Sequence, residues 1–600
     1  MLREIFNFLH GALGEFRRHF WAYLLLFLGM NLLMNGIIVS LFNVAAGAIM
    51  RVSGIPFISY NNIGTIIFGH PLGALGLVIL LLLLILLVYV QFSIQFVGVA
   101  RIQAGERSML QILREALASL QVVNPRILLF FLGYFLLILP FGKYVFASPL
   151  LAKVTIPAFT MEFFLAKPLN MVILIAFYAL VFILGNRLIL VLPHLILKKR
   201  SLRDAVSESL KATHGLVPLV SFFLYFGVIV FGTWLISQGF YYLFYGLQLL
   251  LDKSSIALVS AIVLMVLVEV VNFLALTLAG MLLFSFMLSR LGYLPAEVSK
   301  TRTKRSLGFR VVVGTLTSLG LLILLATNWV YMTGMLTAKP VTISHRGVND
   351  DNGVQNSIPS LLSTNKLKPD YVEMDVQETA DKQFVVFHDP TLANLAKINK
   401  APQKMTLSNL TDLTLSENHH TAKLASFDDY LLTAEKLHQK LLVEIKTTAL
   451  DPESPSNLTK RFLNDYGSRL SKDGDMIHSL NYDVVSSVKS DSPNLPVSFI
   501  LPFNIVFPET PANAYTMEAT TLDASFVQTA HAHNQAVYAW TVNSAELMRS
   551  DMVDGVDGII TDHLTLLKEQ IKDYEEHPSY ADRLYMFFEM MPTPGSAASN

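Results

Sequence analysis

The stretches VTISHRG at residues 341–347 and YVEMDV at residues 371–376 decide how the second half of this chain folds. Each is a short run rich in β-branched or apolar residues that carries polar side chains near its end. Further runs of this kind follow, separated by segments with helical periodicity. The nine runs predicted as strands are Val341–His345, Tyr371–Val376, Phe384–His388, Leu441–Lys446, Met476–Leu480, Val497–Leu501, Thr520–Asp523, Ala536–Val542 and Gly558–Thr561. Strands that alternate with helices predict a parallel sheet with helical crossovers.

The number of strands predicts a closed barrel. Eight or nine strands within about 230 residues fit an α/β fold of the (β/α)₈ TIM-barrel type, which usually takes about 250 residues. Asp375 and His388 are too close in sequence for a parallel crossover, which needs about a dozen linking residues. We therefore expect a hairpin near Asp381 and Lys382, which leaves eight parallel strands.

Polar residues lie near the carboxyl ends of the first four predicted strands. They are His345, Glu373, Asp375, His388, Glu444 and Lys446. In a TIM barrel this end of the strands forms the active-site face. The sequence therefore predicts that four separate segments bring these side chains to one site.

The first half of the chain has the composition of a membrane domain. Of the 600 residues 53% are hydrophobic and only 15% are charged, whereas a soluble domain carries about 25% charged residues. The net charge is zero, but residues 1–340 hold 25 basic and 10 acidic side chains while residues 341–600 hold 20 and 35. This asymmetry predicts two parts in different surroundings. Neither half has a basic patch interleaved with aromatic residues, so we expect no nucleic-acid partner.

Seven apolar stretches are long enough to span a bilayer, which takes about 20 helical residues. They lie near 21–44, 71–98, 127–147, 169–197, 216–248, 256–288 and 309–335. The third is the weakest because Pro140 and Lys143 interrupt it. The sequence is therefore compatible with six to eight spans. Arg187 and Glu269 lie inside predicted spans, where charged residues commonly pair or line a cavity. Either they form an ion pair, or Arg187 reaches the interface and Glu269 faces a polar loop or is protonated.

The charges of the loops predict the orientation. Loops on the side of the N-terminus carry 18 Lys and Arg residues, and loops on the other side carry five. The positive-inside rule places the more basic side in the cytoplasm. With seven spans, the cell membrane is the expected location and residues from 336 onward lie outside the cytoplasm.

Three carboxylates predict a metal site. Glu373 and Asp375 are two residues apart on a strand and therefore share one face, and Glu444 could supply a third carboxylate. Like charges held close together call for a neutralising cation. Oxygen ligands in a chain without cysteine favour one divalent cation, Ca²⁺ or Mg²⁺. The alternative is a surface strand that simply carries two acids.

Two histidines and two basic side chains complete the predicted set of reactive groups. His345 and His388 are candidates for general acid and base, because histidine changes protonation near neutral pH. Arg346 and Lys446 are suited to binding phosphate. A cation, an acid, a base and phosphate ligands together predict cleavage of a phosphodiester.

The chemically active motifs, in their order, resemble a known family. The motifs are His345-Arg346-Gly347, Gln355-Asn356-Ser357, Glu373-Met374-Asp375-Val376, Val386-Phe387-His388-Asp389, Val443-Glu444-Ile445-Lys446, Trp540-Thr541-Val542-Asn543 and Asp557-Gly558-Ile559-Ile560-Thr561-Asp562. They resemble the glycerophosphodiester phosphodiesterases over about residues 341–565. The first half resembles the multi-pass membrane domain attached to such enzymes in some Gram-positive bacteria.

The resemblance implies a (β/α)₈ barrel that hydrolyses glycerophosphodiesters to sn-glycerol 3-phosphate and an alcohol with Ca²⁺ or Mg²⁺. It also implies residue roles: metal ligands Glu373, Asp375 and Glu444, acid and base His345 and His388, phosphate ligands Arg346 and Lys446, and Trp540 as a wall of the glycerol pocket. A tryptophan buried in a strand is the alternative for Trp540. Gln355 departs from the glutamate usual in the family. We expect this replacement to alter the pH dependence of the activity or to lower the activity.

We expect a multi-pass membrane domain at 1–335, the barrel at 336–572 and a C-terminal tail at 573–600. The expected substrates are glycerophosphodiesters from deacylated lipids or polyglycerol-phosphate polymers. One alternative is an enzyme like lysophospholipase D or phospholipase C that acts on lipids. Another is a non-catalytic transporter or sensor that binds lipid or glycerophosphate, which Gln355 favours. The sequence predicts the lipid bilayer as a partner and does not indicate protein partners or an oligomeric state.

Overall fold

The structure is a computed structural model that describes residues 2–59, 62–106, 108–134, 161, 164–165, 168–293, 307–334, 339–504, 506–575 and 579–590. The described residues form two compact units. The first extends to Met332, and the second extends from Thr333 to Glu589.

The first unit is helical. Its helices are Leu2–Asn31, continued by a π-helical turn Leu32–Ile38 into Val39–Ser53, and then Ile63–Gly69, Pro71–Gln103, Met109–Ala118, Pro168–Leu188, Val191–Leu197, Leu202–Ala212, Leu216–Leu251, Ala257–Leu291 and Leu307–Thr333. By length and composition, five helical segments of the described chain can cross a membrane: Arg3–Ser53, Pro71–Gln103, Pro168–Leu197, Leu216–Leu251 and Ala257–Leu291. They coincide with five of the seven predicted spans.

The other two predicted spans are only partly described. Met109–Val122 and Pro125–Tyr134 meet at a bend of 102° and would add a sixth span if they cross together. Most of the predicted span 127–147, with Pro140 and Lys143, lies outside the described residues. The last predicted span contains the apolar helical segment Thr317–Thr333, which is shorter than the five. The total of seven therefore stays a prediction.

Two glycines allow close packing of the long helices. A Cβ at Gly98 would lie 2.7 Å from the Leu26 side chain, and one at Gly280 would lie 2.9 Å from the Phe27 ring. Small residues let membrane helices approach one another closely. The helices Pro71–Gln103 and Ala257–Leu291 therefore both pack on the first helix.

The two charges inside predicted spans do not pair with each other in the described part of the chain. Glu269 accepts a hydrogen bond of 2.9 Å from the Asn328 side chain. The backbone carbonyl of Arg187 accepts hydrogen bonds from Ser209 and Thr213. The ion pair that the sequence left open is thus not formed.

The second unit is built on eleven strands. They are β1 (Val341–Ser344), β2 (Tyr371–Glu378), β3 (Phe384–Val386), β4 (Thr414–Glu417), β5 (His420–Lys423), β6 (Leu441–Ile445), β7 (Met476–Ser479), β8 (Val497–Leu501), β9 (Ala514–Glu518), β10 (Ala536–Trp540) and β11 (Gly558–Thr561). Eight of them pair in parallel in the order β1-β2-β6-β7-β8-β9-β10-β11, and β11 returns to β1. The barrel is therefore closed, which confirms the predicted TIM-barrel fold.

Helices connect the strands of the second unit. They are Ile358–Asn365, Ala393–Ala396, Leu407–Thr411, Phe427–Leu437, Pro455–Phe462, Ser468–Asp473, Tyr482–Asp491, Ala524–Ala532, Ala545–Asp554, Leu564–Glu575 and Tyr580–Met590. The last of them lies in the predicted tail. The residues Ser357, Ser426, Ser454, Asn481, Asp523 and Ser544 each accept a backbone N–H from the first turn of the following helix. These caps satisfy free N–H groups and set where each helix begins.

Eight of the nine predicted strands coincide with observed strands, and the ninth was misplaced. The strand is Ala514–Glu518, while the predicted run Thr520–Asp523 contains a turn and the cap of the next helix. Ala514 and Glu518 at its two ends have low intrinsic strand preference, and burial of the whole segment outweighs it. The predicted hairpin is confirmed, because β3 pairs with β2 in antiparallel register. The hairpin β4–β5 was not predicted.

Apolar side chains fill part of the barrel interior. Residues from six different strands contact one another there: Ile343, Leu442, Met476, Ala514, Tyr538 and Ile560. A Cβ at Gly558 would lie 2.7 Å from both the Tyr538 ring and Val341, so only glycine fits beside that ring. Successive inward positions along a strand are two residues apart. The next inward positions on β1, β6 and β7 are therefore His345, Glu444 and His478, at the carboxyl ends of the strands.

Candidate active site

A tight turn after β1 brings Arg346 to the acidic residues of β2. Arg346 and Gly347 both have positive φ, at 51° and 68°. A Cβ at Gly347 would lie 2.9 Å from the Tyr430 hydroxyl, so the turn requires glycine there. The backbone N–H of Arg346 donates to Glu373 Oε2 at 2.9 Å. The turn with Arg346 and Gly347 thus connects the end of β1 to the Glu373 carboxylate on β2.

The three predicted metal ligands and the two predicted phosphate ligands lie together. Asp375 on β2 is in register with Glu444 on β6, and Glu373 is two residues before Asp375. All three carboxylates are buried. Lys446 Nζ lies 3.1 Å from Glu444 Oε1 and 3.4 Å from Asp375 Oδ1. Arg346 Nε lies 3.7 Å from Asp375 Oδ2.

These neighbours set the charge states of the cluster. Burial alone would raise the pKa of Asp375, but the charges of Lys446, His388 and Arg346 lower it below its usual range. Burial would lower the pKa of Lys446, but Glu444 and Asp375 raise it. Asp375 is therefore ionised and Lys446 protonated at neutral pH.

Asn356 orients the Asp375 carboxylate. Its side-chain amide donates to Asp375 Oδ2 at 2.8 Å and accepts the Asp375 backbone N–H at 3.1 Å. Asn356 has a φ of 58°, a conformation that asparagine tolerates better than most residues. The motif Gln355-Asn356-Ser357 by itself does not indicate this role of Asn356.

A buried histidine joins two of the carboxylates. One ligand atom each from Glu373, Glu444 and His478 lies within 4.8 Å of the others. His478 Nε2 is 3.4 Å from Glu373 Oε1. Within the described chain, neither ring nitrogen of His478 has a hydrogen-bond partner. A buried imidazole beside two carboxylates fits a divalent cation, because neutral imidazole and carboxylate are both metal ligands.

His478 was not among the predicted site residues, although its position in the sequence carries a signal. His478 stands in register with Glu444 on the neighbouring strand β7. The predicted strand Met476–Leu480 already contained it near its carboxyl end. Asp375 is not in this group of three, because its carboxylate faces Lys446, Arg346 and Asn356. Its role as a ligand stays a prediction.

His345 is held by a carboxylate from the last strand of the barrel. His345 Nδ1 lies 2.8 Å from Asp562 Oδ1, and Asn543 donates to the other oxygen at 2.7 Å. Burial and the charge of Arg346 act to lower the pKa of His345, but Asp562 outweighs them and the pKa is raised. Burial would raise the pKa of Asp562, but the charge of His345 and both hydrogen bonds lower it. His345 is thus biased towards its protonated form.

His388 has a similar arrangement. His388 Nδ1 lies 2.9 Å from Asp389 Oδ1, and Asn394 donates to Asp389 Oδ2 at 2.8 Å. The hydrogen bond with His388 is the largest cause of the lowered pKa of Asp389. The buried Gln377 side chain donates to the backbone carbonyl groups of residues 387, 388 and 389 and so shapes this loop.

Trp540 lies at the carboxyl end of β10 and is partly buried. Its Nε1–H donates to the Thr516 carbonyl at 3.1 Å. The ring also packs against the apolar cluster of the barrel interior. Its place in a glycerol pocket stays a prediction.

Gln355 contacts Arg346 directly. The Arg346 guanidinium donates from Nη1 to Gln355 Oε1 at 2.5 Å. The residue that departs from the resembled family therefore still faces the predicted phosphate ligand.

Comparison with known proteins matches both halves of the chain. The family described as "Membrane domain of glycerophosphoryl diester phosphodiesterase" matches residues 10–327, and the "Glycerophosphoryl diester phosphodiesterase family" matches residues 345–566. A glycerophosphodiester phosphodiesterase of Caldanaerobacter subterraneus is 27% identical over 237 residues, which are 37% of this chain and 94% of that protein. The Bacillus subtilis protein YhdW is 23% identical over 235 residues, 37% of this chain and 93% of that protein.

A solved structure is also similar to the chain. The crystal structure of a glycerophosphodiester phosphodiesterase from Parabacteroides distasonis is 25% identical, with a TM-score of 0.36, and covers 40% of this chain and 99% of that one. The family matches cover both the apolar helices and the barrel with its acidic rim. The chain therefore belongs to the glycerophosphoryl diester phosphodiesterase family and carries the family's membrane domain and its phosphodiesterase barrel in one polypeptide.

Proposed function

We propose that this membrane-bound glycerophosphodiester phosphodiesterase uses His345 and His388 as acid and base, assisted by one divalent cation. The products are sn-glycerol 3-phosphate and an alcohol. One observation carries the proposal. The buried Asp375 lies beside Lys446 and Arg346, at a strand end where both histidines are held by carboxylates of their own.

The cation site fits the residues present. Glu373 and Glu444 would hold the ion, with His478 as a third ligand and Asp375 as the further ligand expected from the sequence. The unpartnered ring of His478 supports this assignment. A bound divalent cation polarises phosphoryl oxygens and offsets negative charge in the transition state. Oxygen ligands favour Ca²⁺, Mg²⁺ or Mn²⁺, while an imidazole ligand is better suited to transition metals than to Ca²⁺ or Mg²⁺.

The two histidines have different roles in the proposal. Ionised carboxylates only accept hydrogen bonds, so Asp562 and Asp389 each hold a proton on Nδ1 of their histidine. This leaves Nε2 of both rings for the reaction. His345, with its raised pKa, donates a proton to the leaving alcohol. His388 accepts the proton of the attacking hydroxyl or water.

Arg346 and Lys446 bind the phosphate oxygens. Charge-assisted hydrogen bonds from guanidinium and ammonium groups are suited to a phosphodiester. Lys446 also shields Asp375 and Glu444 from each other. Trp540 forms an apolar wall for the glycerol part of the substrate.

We further propose that the N-terminus is cytoplasmic and the barrel lies on the opposite side of the cell membrane. The bias of basic residues among the loops supports this orientation. Glycerophosphodiesters from deacylated lipids, or polyglycerol-phosphate polymers, would then be accessible as substrates.

The orientation can be measured cleanly because the chain has no cysteine. Ser490→Cys places a single thiol on the exposed surface of the barrel, and Lys211→Cys places one in a loop predicted to be cytoplasmic. We expect a membrane-impermeant maleimide to label Ser490→Cys in intact cells and Lys211→Cys only after permeabilisation. The reverse pattern would show the opposite orientation. The cysteine-free chain measures background labelling.

The activity is tested with the full chain in detergent. We expect release of sn-glycerol 3-phosphate from glycerophosphocholine and glycerophosphoglycerol, loss of release in EDTA, and recovery with added Ca²⁺, Mg²⁺ or Mn²⁺. Lysophosphatidylcholine tests the alternative lipid substrate. A folded protein that binds glycerol 3-phosphate without hydrolysing any of these substrates would support a sensor instead.

A further inference from the structure

A hairpin outside the barrel reaches the active site. β4 and β5 are joined by Asn418 and His419, which both have positive φ. Two such residues form the tight turn typical of two-residue hairpins. Leu415 and Ala422 of the hairpin are buried in an apolar cluster with Phe387, next to His388. The hairpin is therefore anchored by its apolar face, and Glu417 lies at its tip.

Glu417 binds Gln355 through two hydrogen bonds. Its Oε2 accepts the backbone N–H of Gln355 at 2.8 Å, and its Oε1 accepts the side-chain Nε2 at 2.5 Å. Gln355 Oε1 in turn accepts from Arg346 Nη1 at 2.5 Å. The three side chains form a continuous chain of hydrogen bonds, from the hairpin tip to the guanidinium group.

The chemistry of the three groups fixes the direction of these hydrogen bonds. A carboxylate only accepts hydrogen bonds and a guanidinium only donates them. An amide placed between them must turn its NH₂ group to Glu417 and its oxygen to Arg346. Glu417 therefore holds the amide in the one orientation that can bind Arg346.

We propose that Glu417 is a positioning residue that holds Arg346, through Gln355, for the phosphate of the substrate. The Glu417 carboxylate thus acts on the guanidinium across one intervening amide. The inference rests on the proposed phosphate-binding role of Arg346.

An exchange of the two residues tests the proposal. Glu417→Gln removes the charge and the fixed orientation of the amide, and we expect KM for glycerophosphocholine to rise about tenfold while kcat changes by less than about threefold. Gln355→Glu places two carboxylates against each other, and we expect at least the same rise. The double variant Gln355→Glu/Glu417→Gln again pairs one carboxylate with one amide. It should return KM to within about threefold of the unmodified protein.

Asn418→Gly provides the matched control, because glycine keeps the positive φ of the turn and removes the side chain. Asn418 lies beside Glu417 and donates to Asp351 at 2.8 Å, so it ties the same hairpin to the same loop without touching Gln355. We expect KM and kcat to stay close to the values of the unmodified protein. An equal effect of Asn418→Gly and Glu417→Gln would reduce Glu417 to an anchor of the hairpin and overturn the proposal.

Binding separates this inference from the proposed catalysis. Calorimetric titration of the full chain in detergent with glycerol 3-phosphate reports the phosphate site even if no hydrolysis occurs. We expect Glu417→Gln to weaken binding about tenfold and the double variant to restore it. Equal affinities of Glu417→Gln and the unmodified protein would refute the positioning role. A protein that binds glycerol 3-phosphate normally but hydrolyses nothing would refute the proposed function alone.

Discussion

His345 Nδ1 lies 2.8 Å from Asp562 Oδ1, although the two residues are 217 positions apart in sequence. β1 and β11 are neighbours in the closed barrel, with Ser344 in register with Thr561. The residues that follow these strands therefore meet at the same rim. Closure of the barrel thus supplies the carboxylate that raises the pKa of His345.

Asp562→Asn tests this relationship through pH dependence. Asp562 raises the pKa of His345, so its neutral replacement lowers that pKa. If protonated His345 is the acid, activity falls as pH rises through this pKa. We therefore expect the alkaline limb of the kcat/KM profile to move to lower pH in Asp562→Asn. Asp350→Asn is the control, because Asp350 pairs with His563. An alkaline limb that stays in place would contradict the assignment.

His388→Ala tests the proposed base. We expect kcat to fall by about 10²- to 10⁴-fold, the usual contribution of a general acid or base. Metal binding should persist, because His388 is not in the group formed by Glu373, Glu444 and His478. Calorimetry with Mn²⁺ and kcat measurement check both expectations. His533→Ala, which removes an exposed histidine bonded to the Thr529 carbonyl, should leave kcat unchanged. Full activity of His388→Ala would exclude the role.

His478→Ala tests the composition of the cation site. We expect Mn²⁺ affinity to fall about tenfold or more and Ca²⁺ affinity to fall less, because imidazole suits transition metals better than Ca²⁺. Glu444→Gln removes an oxygen ligand and should weaken both ions. Calorimetric titration of the metal-free chain gives the affinities without an activity assay. Unchanged Mn²⁺ affinity in His478→Ala would show that His478 is not a ligand.

Trp540→Ala tests the glycerol pocket. If the ring contacts the glycerol part of the substrate, KM rises about tenfold and thermal stability falls because apolar contacts are lost. Trp540→Phe keeps an aromatic face and loses the hydrogen bond to the Thr516 carbonyl together with part of the ring. We expect its KM to stay within about threefold. A loss of stability in Trp540→Ala without any rise in KM would leave Trp540 a packing residue of the barrel.

The pattern of strands was largely predictable, and its failures have physical causes. Period-two runs of β-branched residues identified eight strands, including the hairpin partner β3. β9 was misplaced because Ala514 and Glu518 at its ends have low strand preference and are held in the strand by burial. The hairpin β4–β5 was missed because most of its residues are exposed and polar.

The types of residue in the site could be predicted from the sequence, but their contacts with one another were less predictable. The structure brings Glu373, Asp375 and Glu444 together with Arg346 and Lys446, as strand-end positions predicted. It adds His478, whose importance depends on the register between β6 and β7. It also places the Glu417 carboxylate against Gln355, a contact that no local sequence pattern indicates.

The two-part organisation, the closed α/β barrel and the chemical groups at the strand ends could all be predicted from the amino-acid sequence. Hydrophobic length, charge balance and side-chain alternation are local properties, and they can be read residue by residue. Three pairs could be recognised only from the three-dimensional fold: His345–Asp562, Glu444–His478 and Gln355–Glu417. Each pair joins residues from separate segments, so barrel closure, strand register and the packing of the hairpin had to place them within contact distance.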